Sequence, residues 1–263
     1  MLLINSLPKS GTNLVSKMAD LVGMAYSGKS ISSGSLYGRH GVFKRVLRGC
    51  KFSECIDIGL DFPALASRRW VMSVLGCLDS SSYLTGHLPF NSAIKDLLDE
   101  KKCKIIHVVR DPRDVLVSWT HYVRDQPWHF AHEALSSVKF EQAIRLVLRG
   151  FSSCNCKVLS FKDILARSMG WLTDPSVKVI RFEELVGERG GGDRYLQAKV
   201  IESFISFIEI AEASSDKIAS CLYGGTHTFR KGQIGGWSKE LSPFLLSEIK
   251  EELSSTIRHM GYE

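Results

Sequence analysis

Two short apolar runs punctuate the chain, Leu2 to Leu7 and Lys104 to Val109, and Ser82 to Thr85 and Val177 to Arg181 read as two more strands. The run from Lys104 to Val109 has the length and composition of a strand buried on both faces. Between them the apolar positions change to helical spacing. Leu14, Val15, Met18, Leu21 and Val22 fall on one face of a predicted helix that Gly23 stops. Further helices are predicted over Ser92 to Glu100, Phe140 to Gly150, Leu196 to Glu209 and Phe244 to Met260. The last carries Leu245, Leu246, Ile249, Leu253 and Ile257 as an amphipathic face suited to a core or to a dimer contact. Strands alternating with helices imply an α/β fold, a three-layer sandwich with a central parallel sheet flanked by helices. No repeat or linker divides the chain, so residues 1–263 are expected to form a single domain.

The junctions between these elements carry the candidate chemistry. After the first strand, Pro8-Lys9-Ser10-Gly11-Thr12 leads directly into a helix. The free N–H groups of that helix's first turn, its dipole, the Lys9 ammonium and the Ser10 and Thr12 hydroxyls together form a P-loop-like anion site. It is not a Walker A loop, because the lysine precedes the single glycine. At the second junction Asp111 suits the N-cap, Pro112 the first helical position and Asp114 the return position of a capping box. Arg110 has no such structural task, and it lies where open α/β sheets bind ligands. Ser118, eight residues on, can offer a hydroxyl to the same anion. The third segment, Phe229 to Trp237, contains Arg230-Lys231-Gly232 and two further glycines, the composition of a clamp for phosphate.

Together these segments resemble the sulfotransferases that use 3′-phosphoadenosine 5′-phosphosulfate (PAPS), in order and in spacing. Pro8 to Thr12 is similar to the family's 5′-phosphosulfate loop, and Arg110 and Ser118 to its 3′-phosphate contacts. Arg230-Lys231-Gly232 with Gly235 and Trp237 is similar to the C-terminal segment that completes that site. Thr85-Gly86-His87-Leu88-Pro89 resembles the family's Thr-His-Leu-Pro, whose histidine is the catalytic base. The resemblance implies cofactor contacts at Lys9, Ser10, Gly11, Thr12, Asn13, Arg110, Ser118, Phe182, Arg230, Lys231 and Gly232. It implies catalysis by His87, which takes the acceptor proton, and Lys9, which stabilises the leaving phosphate. Ser118 restrains Lys9 until an acceptor is bound, and no metal is required. Five positions depart from the family pattern. Thr85 stands where animal enzymes carry a lysine, Asn13-Leu14 replaces Thr-Trp, Phe182 replaces tyrosine, and Gly236 replaces aspartate.

Composition narrows the partners. A net charge of +6 favours anions, yet no run of five like charges points to nucleic acid. Seven irregularly spaced cysteines argue against a disulfide framework and for a cytoplasmic setting, and Cys154-Asn155-Cys156 lacks a partner pair for zinc. The first strand begins at once, so no signal peptide is expected, and no run approaches the roughly 18 apolar residues of a membrane helix. A small acceptor is expected against residues 27–51 and 119–132. Within these, Ser27 to Ser35 reads as a mobile Gly/Ser-rich loop, Tyr37 to Lys51 as a basic stretch, and Trp119 to His132 as an aromatic wall. Gly187 to Gly192 reads as a surface turn or a disordered loop without evident chemistry. Two rival functions remain at this level, a P-loop nucleotide or sugar kinase and a non-catalytic nucleotide-binding module.

Overall fold

The computed structural model describes residues 1–37, 54–153, 157–210, 213–224 and 231–263. Among these described residues nine strands run in chain order as β1 (Leu2–Ser6), β2 (Ala25–Ile31), β3 (Cys55–Asp57), β4 (Leu65–Ser67), β5 (Ser82–Gly86), β6 (Lys104–Val109), β7 (Phe151–Ser152), β8 (Lys157–Val158) and β9 (Val177–Arg181). Five of them build the central sheet in the order β2-β5-β1-β6-β9, and every pairing is parallel. The remaining strands form two small antiparallel pairs, β3 with β4 and β7 with β8. All four strands expected from the sequence are present.

Side-chain alternation along β1 divides the core. Leu2 and Ile4 turn to one face, where they pack with Val15 and Met18 of the Thr12–Leu21 helix and Phe204 of the Arg194–Ile208 helix. Leu3 turns to the other, against Leu84, Ile105, Ile94 and Leu97, the last two from the Ser92–Glu100 helix. A third cluster joins the Pro112–Asp125, Phe140–Arg149 and Pro243–His259 helices. Leu245, Ile249, Leu253 and Ile257 are buried there, so the amphipathic face of the last helix is core.

Two expectations are corrected. Ser27 to Ser35 is not a free loop, since Ala25–Ile31 is an edge strand hydrogen-bonded to β5. Its polar sequence suits an exposed edge, and the register shifts between Tyr26 and Ser30, where Gly28 takes φ 69°. Leu21 is 41% exposed and does not join the buried face of its helix. Helices beyond those predicted include Arg68–Leu75, Phe161–Ser168 and Ser215–Leu222.

Candidate active site

Strand order creates the site. The chain leaves β1 toward β2 on one side of the sheet, while β6 lies on the other. The loops leaving β1 and β6 therefore diverge and open a crevice at the carboxyl ends of the strands. A cleft of about 310 Å³ occupies this position, lined from four strand ends and the C-terminal loop.

From β1 come Pro8, Lys9, Gly11, Thr12 and Asn13. The turn is tight: Lys9 has φ 70°, Gly11 has φ 109°, and the Ser10 N–H donates to Leu7 O at 3.2 Å. A Cβ on Gly11 would stand 2.9 Å from Phe182 Cδ2, so glycine is required both by φ and by space. Since Ser10 spends its amide inside the turn, the backbone N–H groups of Gly11 and Thr12 are the donors that the helix start turns toward an anion. The Lys9 ammonium lies 4.6 Å from the centroid of the Tyr122 ring, over its face. Ser10 is fully buried and stands behind the cleft lining.

β5 delivers His87. Its backbone N–H donates to Ile31 O at 3.0 Å, and its ring Nδ1 lies 2.9 Å from Ser6 O. A carbonyl only accepts, so Nδ1 carries the proton and Nε2 keeps its lone pair. Burial pushes the His87 pKa below its ordinary value, and the Lys9 charge pushes the same way against the opposing Ser6 hydrogen bond. The neutral base is therefore the resting form near pH 7. The next residue is gripped as firmly. Asn5 Oδ1 accepts the Leu88 N–H at 2.8 Å, while Asn5 Nδ2 and Trp171 Nε1 donate to Leu88 O at 3.2 and 2.9 Å. Asn5 Nδ2 also lies 3.3 Å from Nδ1 of His107, a fully buried imidazole whose pKa burial lowers to about 3.

Arg110 directly follows β6 and is 9% exposed. Its guanidinium lies 4.1 Å over the Phe182 ring at the end of β9, and its Nη2 donates to Gln233 O at 2.8 Å. Asp111 caps the following helix by accepting the Arg113 N–H at 2.9 Å, with Pro112 in the first turn. Asp114 does not close the expected capping box. The Asp111 N–H goes instead to Glu183 Oε1 at 2.8 Å, and Asp114 accepts N–H groups from Gly235 and Trp237. Ser118 and Tyr122 line the cleft on successive turns of this helix.

The C-terminal loop contributes Lys231, Gly232, Gln233 and Gly236. Lys231 Nζ pairs with Glu240 at 2.9 Å, and Glu240 also meets His121 Nε2 at 2.5 Å. Gly187 to Gly192, expected to be an idle turn, supports this loop: Gly190 O accepts the Ile234 N–H at 3.0 Å and Arg189 O accepts from Gln233 Nε2 at 2.8 Å.

Thus Lys9, Gly11, Thr12, Asn13, His87, Arg110, Ser118, Phe182, Lys231 and Gly232 all line one cleft. Arg230 lies outside the described residues, as do positions 38–51 of the expected acceptor region and Cys154 and Cys156. Of the expected aromatic wall, Trp119 is core, Tyr122 faces the cleft, and Trp128 is 62% exposed. Asn5, Asp114 and Glu183 escaped the sequence reading as site residues. Asn5 alone left a signal, an amide within an otherwise apolar run.

A sulfotransferase domain profile matches residues 1–261. The chain belongs to the sulfotransferase family. Relatives include cytosolic sulfotransferase 13 of Arabidopsis thaliana, 24% identical over 62% of this chain and 54% of the relative. Sulfotransferase 6B1 of Mus musculus is 23% identical over 70% of this chain and 64% of its own length. The chain thus spans between about half and two thirds of these relatives. Among solved structures, mouse sulfotransferase SULT7A1 complexed with PAP superposes with a TM-score of 0.63 at 20% identity, over 100% of this chain and 88% of that one. Retinol dehydratase in complex with retinol and PAP gives 0.59 at 15%, over 97% and 80%. These likenesses extend the family's fold across the chain.

Proposed function

We propose that this sulfotransferase-family chain moves the sulfonate group of PAPS to a hydroxyl or amine of a small acceptor, and that residues 1–263 act as one catalytic domain. The observation that carries this reading is the convergence of Lys9, Arg110, Lys231 and a helix N-terminus on one cleft that also holds a neutral histidine. The donor set fits a doubly phosphorylated nucleotide. Two buried donors beside the cleft, Ser10 Oγ and Arg110 Nε, have no acceptor among the described residues, and glycine at position 11 leaves room beside Phe182. Two solved relatives were crystallised with PAP, the nucleotide left after transfer.

When bound, PAPS supplies an activated sulfonate on a phosphate leaving group. His87 Nε2 takes the proton from the acceptor as its oxygen or nitrogen becomes a nucleophile. Lys9 and the amides of Gly11 and Thr12 offer fixed positive charge where negative charge grows. Arg110, Ser118, Lys231 and Arg230 hold the 3′-phosphate, and Ser118 restrains the Lys9 ammonium before an acceptor arrives. Gly232 keeps the clamp backbone close, and Phe182 backs the guanidinium of Arg110. The acceptor enters beside Thr85 and Tyr122. The names of the plant relatives support a cytoplasmic setting, and none of the described helices is long and apolar enough to cross a membrane.

Calorimetric titration with PAP, with adenosine 5′-phosphate and ATP/Mg as controls, tests the reading. PAP should bind tightest, and Arg110→Ala should remove the preference for the 3′-phosphate. His87→Ala should keep nucleotide binding and abolish turnover. Equal affinity for PAP and adenosine 5′-phosphate in the native protein would refute the cofactor assignment.

A further inference from the structure

Asp114 is a carboxylate buried to 4% exposure that no step of the chemistry above uses. Both of its oxygens are engaged across the cleft floor. Oδ2 accepts the Gly235 N–H at 2.9 Å and stands 3.5 Å from Arg110 Nη2, while Oδ1 accepts the Trp237 N–H at 3.0 Å. Arg110 Nη2 in turn donates to Gln233 O, so residues 110 and 114 of one helix start grip the 233–237 loop at three points. A helix-start acid normally serves its own helix, but here the amide it would cap is already satisfied by Glu183. Gly236, between the two donors, would place a Cβ only 3.5 Å from Asp114 Oδ1, ordinary contact, so the carboxylate occupies the loop's inner face closely.

We propose that Asp114 is a positioning residue that fixes the guanidinium of Arg110 and the Lys231–Trp237 loop in one geometry, so that the affinity contributed by the nucleotide's 3′-phosphate depends on it. The inference rests on the proposed cofactor and deepens that assignment. Asp114 itself does not attract the phosphate, because its charge has the wrong sign. It acts by neutralising part of Arg110 in the resting state and by holding two backbone amides that a free loop would give to water. A buried carboxylate with two N–H donors and a guanidinium is a strongly held acceptor, so loss of its charge loosens both partners together.

The test compares two affinities in native protein and in Asp114→Asn, measured by calorimetry with PAP and with adenosine 5′-phosphate. In the native protein PAP should bind more tightly than adenosine 5′-phosphate; equality there would defeat the cofactor assignment itself. In Asp114→Asn the ratio of the two affinities should fall by about 10- to 100-fold, the range for losing a hydrogen bond to a charged group, with adenosine 5′-phosphate binding unchanged. An equal fall for both nucleotides would show a merely structural role and overturn the proposal, as would no change in the ratio. Should Asp114→Asn not fold, hydrogen exchange on the native full chain decides. The Gly235 and Trp237 amides should be protected without nucleotide, and exchange at the rate of an open loop would overturn the proposal.

Discussion

At the scale of single residues, the turn after β1 sets rate against stability. Lys9 is one of three non-glycine residues with positive φ among the described residues, and it holds that conformation at 70° while presenting its ammonium to the cleft. A left-handed backbone costs an L-residue about 1 kcal/mol that glycine avoids. Lys9→Gly is therefore expected to raise the free energy of unfolding by up to about 1 kcal/mol while cutting kcat roughly 10²- to 10³-fold, the usual loss for one charge-stabilising donor. Denaturant unfolding alongside an acceptor assay checks both halves, and a less stable variant would contradict the strain. The Lys-Ser-Gly-Thr run made this site legible in sequence because its residue types are chemically unusual at a strand end. Asp114 was misread for the opposite reason. Its position three past an N-cap has an ordinary explanation, and only a segment 121 to 123 residues away reveals the other one.

Between elements, the polar contacts fall where strand ends must stay in register with loops far along the chain. Glu183, at the start of the turn after β9, accepts the Asp111 N–H at 2.8 Å and the Tyr262 hydroxyl at 2.9 Å. It joins the end of β6, the end of β9 and the tail of the last helix at one point. Burial raises the Glu183 pKa, and these hydrogen bonds oppose that rise. Tyr262→Phe removes one of the two donors and should lower stability by about 1 kcal/mol. It should leave the Asp111 cap, and hence the placement of Arg110, intact. Chemical denaturation and nucleotide titration separate the two effects, and a large loss of nucleotide affinity would mean that the tail supports the cleft directly. Such links were invisible in the sequence, as was β2. Its polar, glycine-containing sequence carries no alternation, and its strand character comes from hydrogen bonding to β5 at the sheet edge. The central strands β1 and β6, by contrast, declared themselves as apolar runs because both of their faces are covered.

For the molecule as a whole, buried histidines decide how acid is tolerated. His107 is held near a pKa of 3 and His129 near 4 by burial, with His87 also below its ordinary 6.5. A histidine with a depressed folded pKa is protonated first in the unfolded chain, so stability is full above about 6.5 and is lost as pH falls toward the folded values. Unfolding free energy measured from pH 7 down to pH 4 should decline steadily. His107→Gln, which cannot take up a proton, should show a shallower decline even if it is less stable at pH 7. An equal slope would place the acid sensitivity elsewhere. The same burial keeps His87 neutral, so the acid limb of turnover should lie below pH 6.5.

The parallel order β5-β1-β6-β9 gathers residues 9, 87, 110 and 182 along one sheet edge. In a parallel sheet no neighbouring pair is joined by a hairpin, so each addition to that edge waits for a crossover to fold. Biosynthesis then has a strict order. A chain that has emerged only through β6 owns the Lys9 turn, His87 and Arg110, but neither the Phe182 ring beneath the guanidinium nor the loop that Asp114 grips. On the proposed cofactor assignment, the half-made protein would lack the finished grip on nucleotide, and stabilisation by nucleotide would become available only once residues 182 and 231–237 are in place.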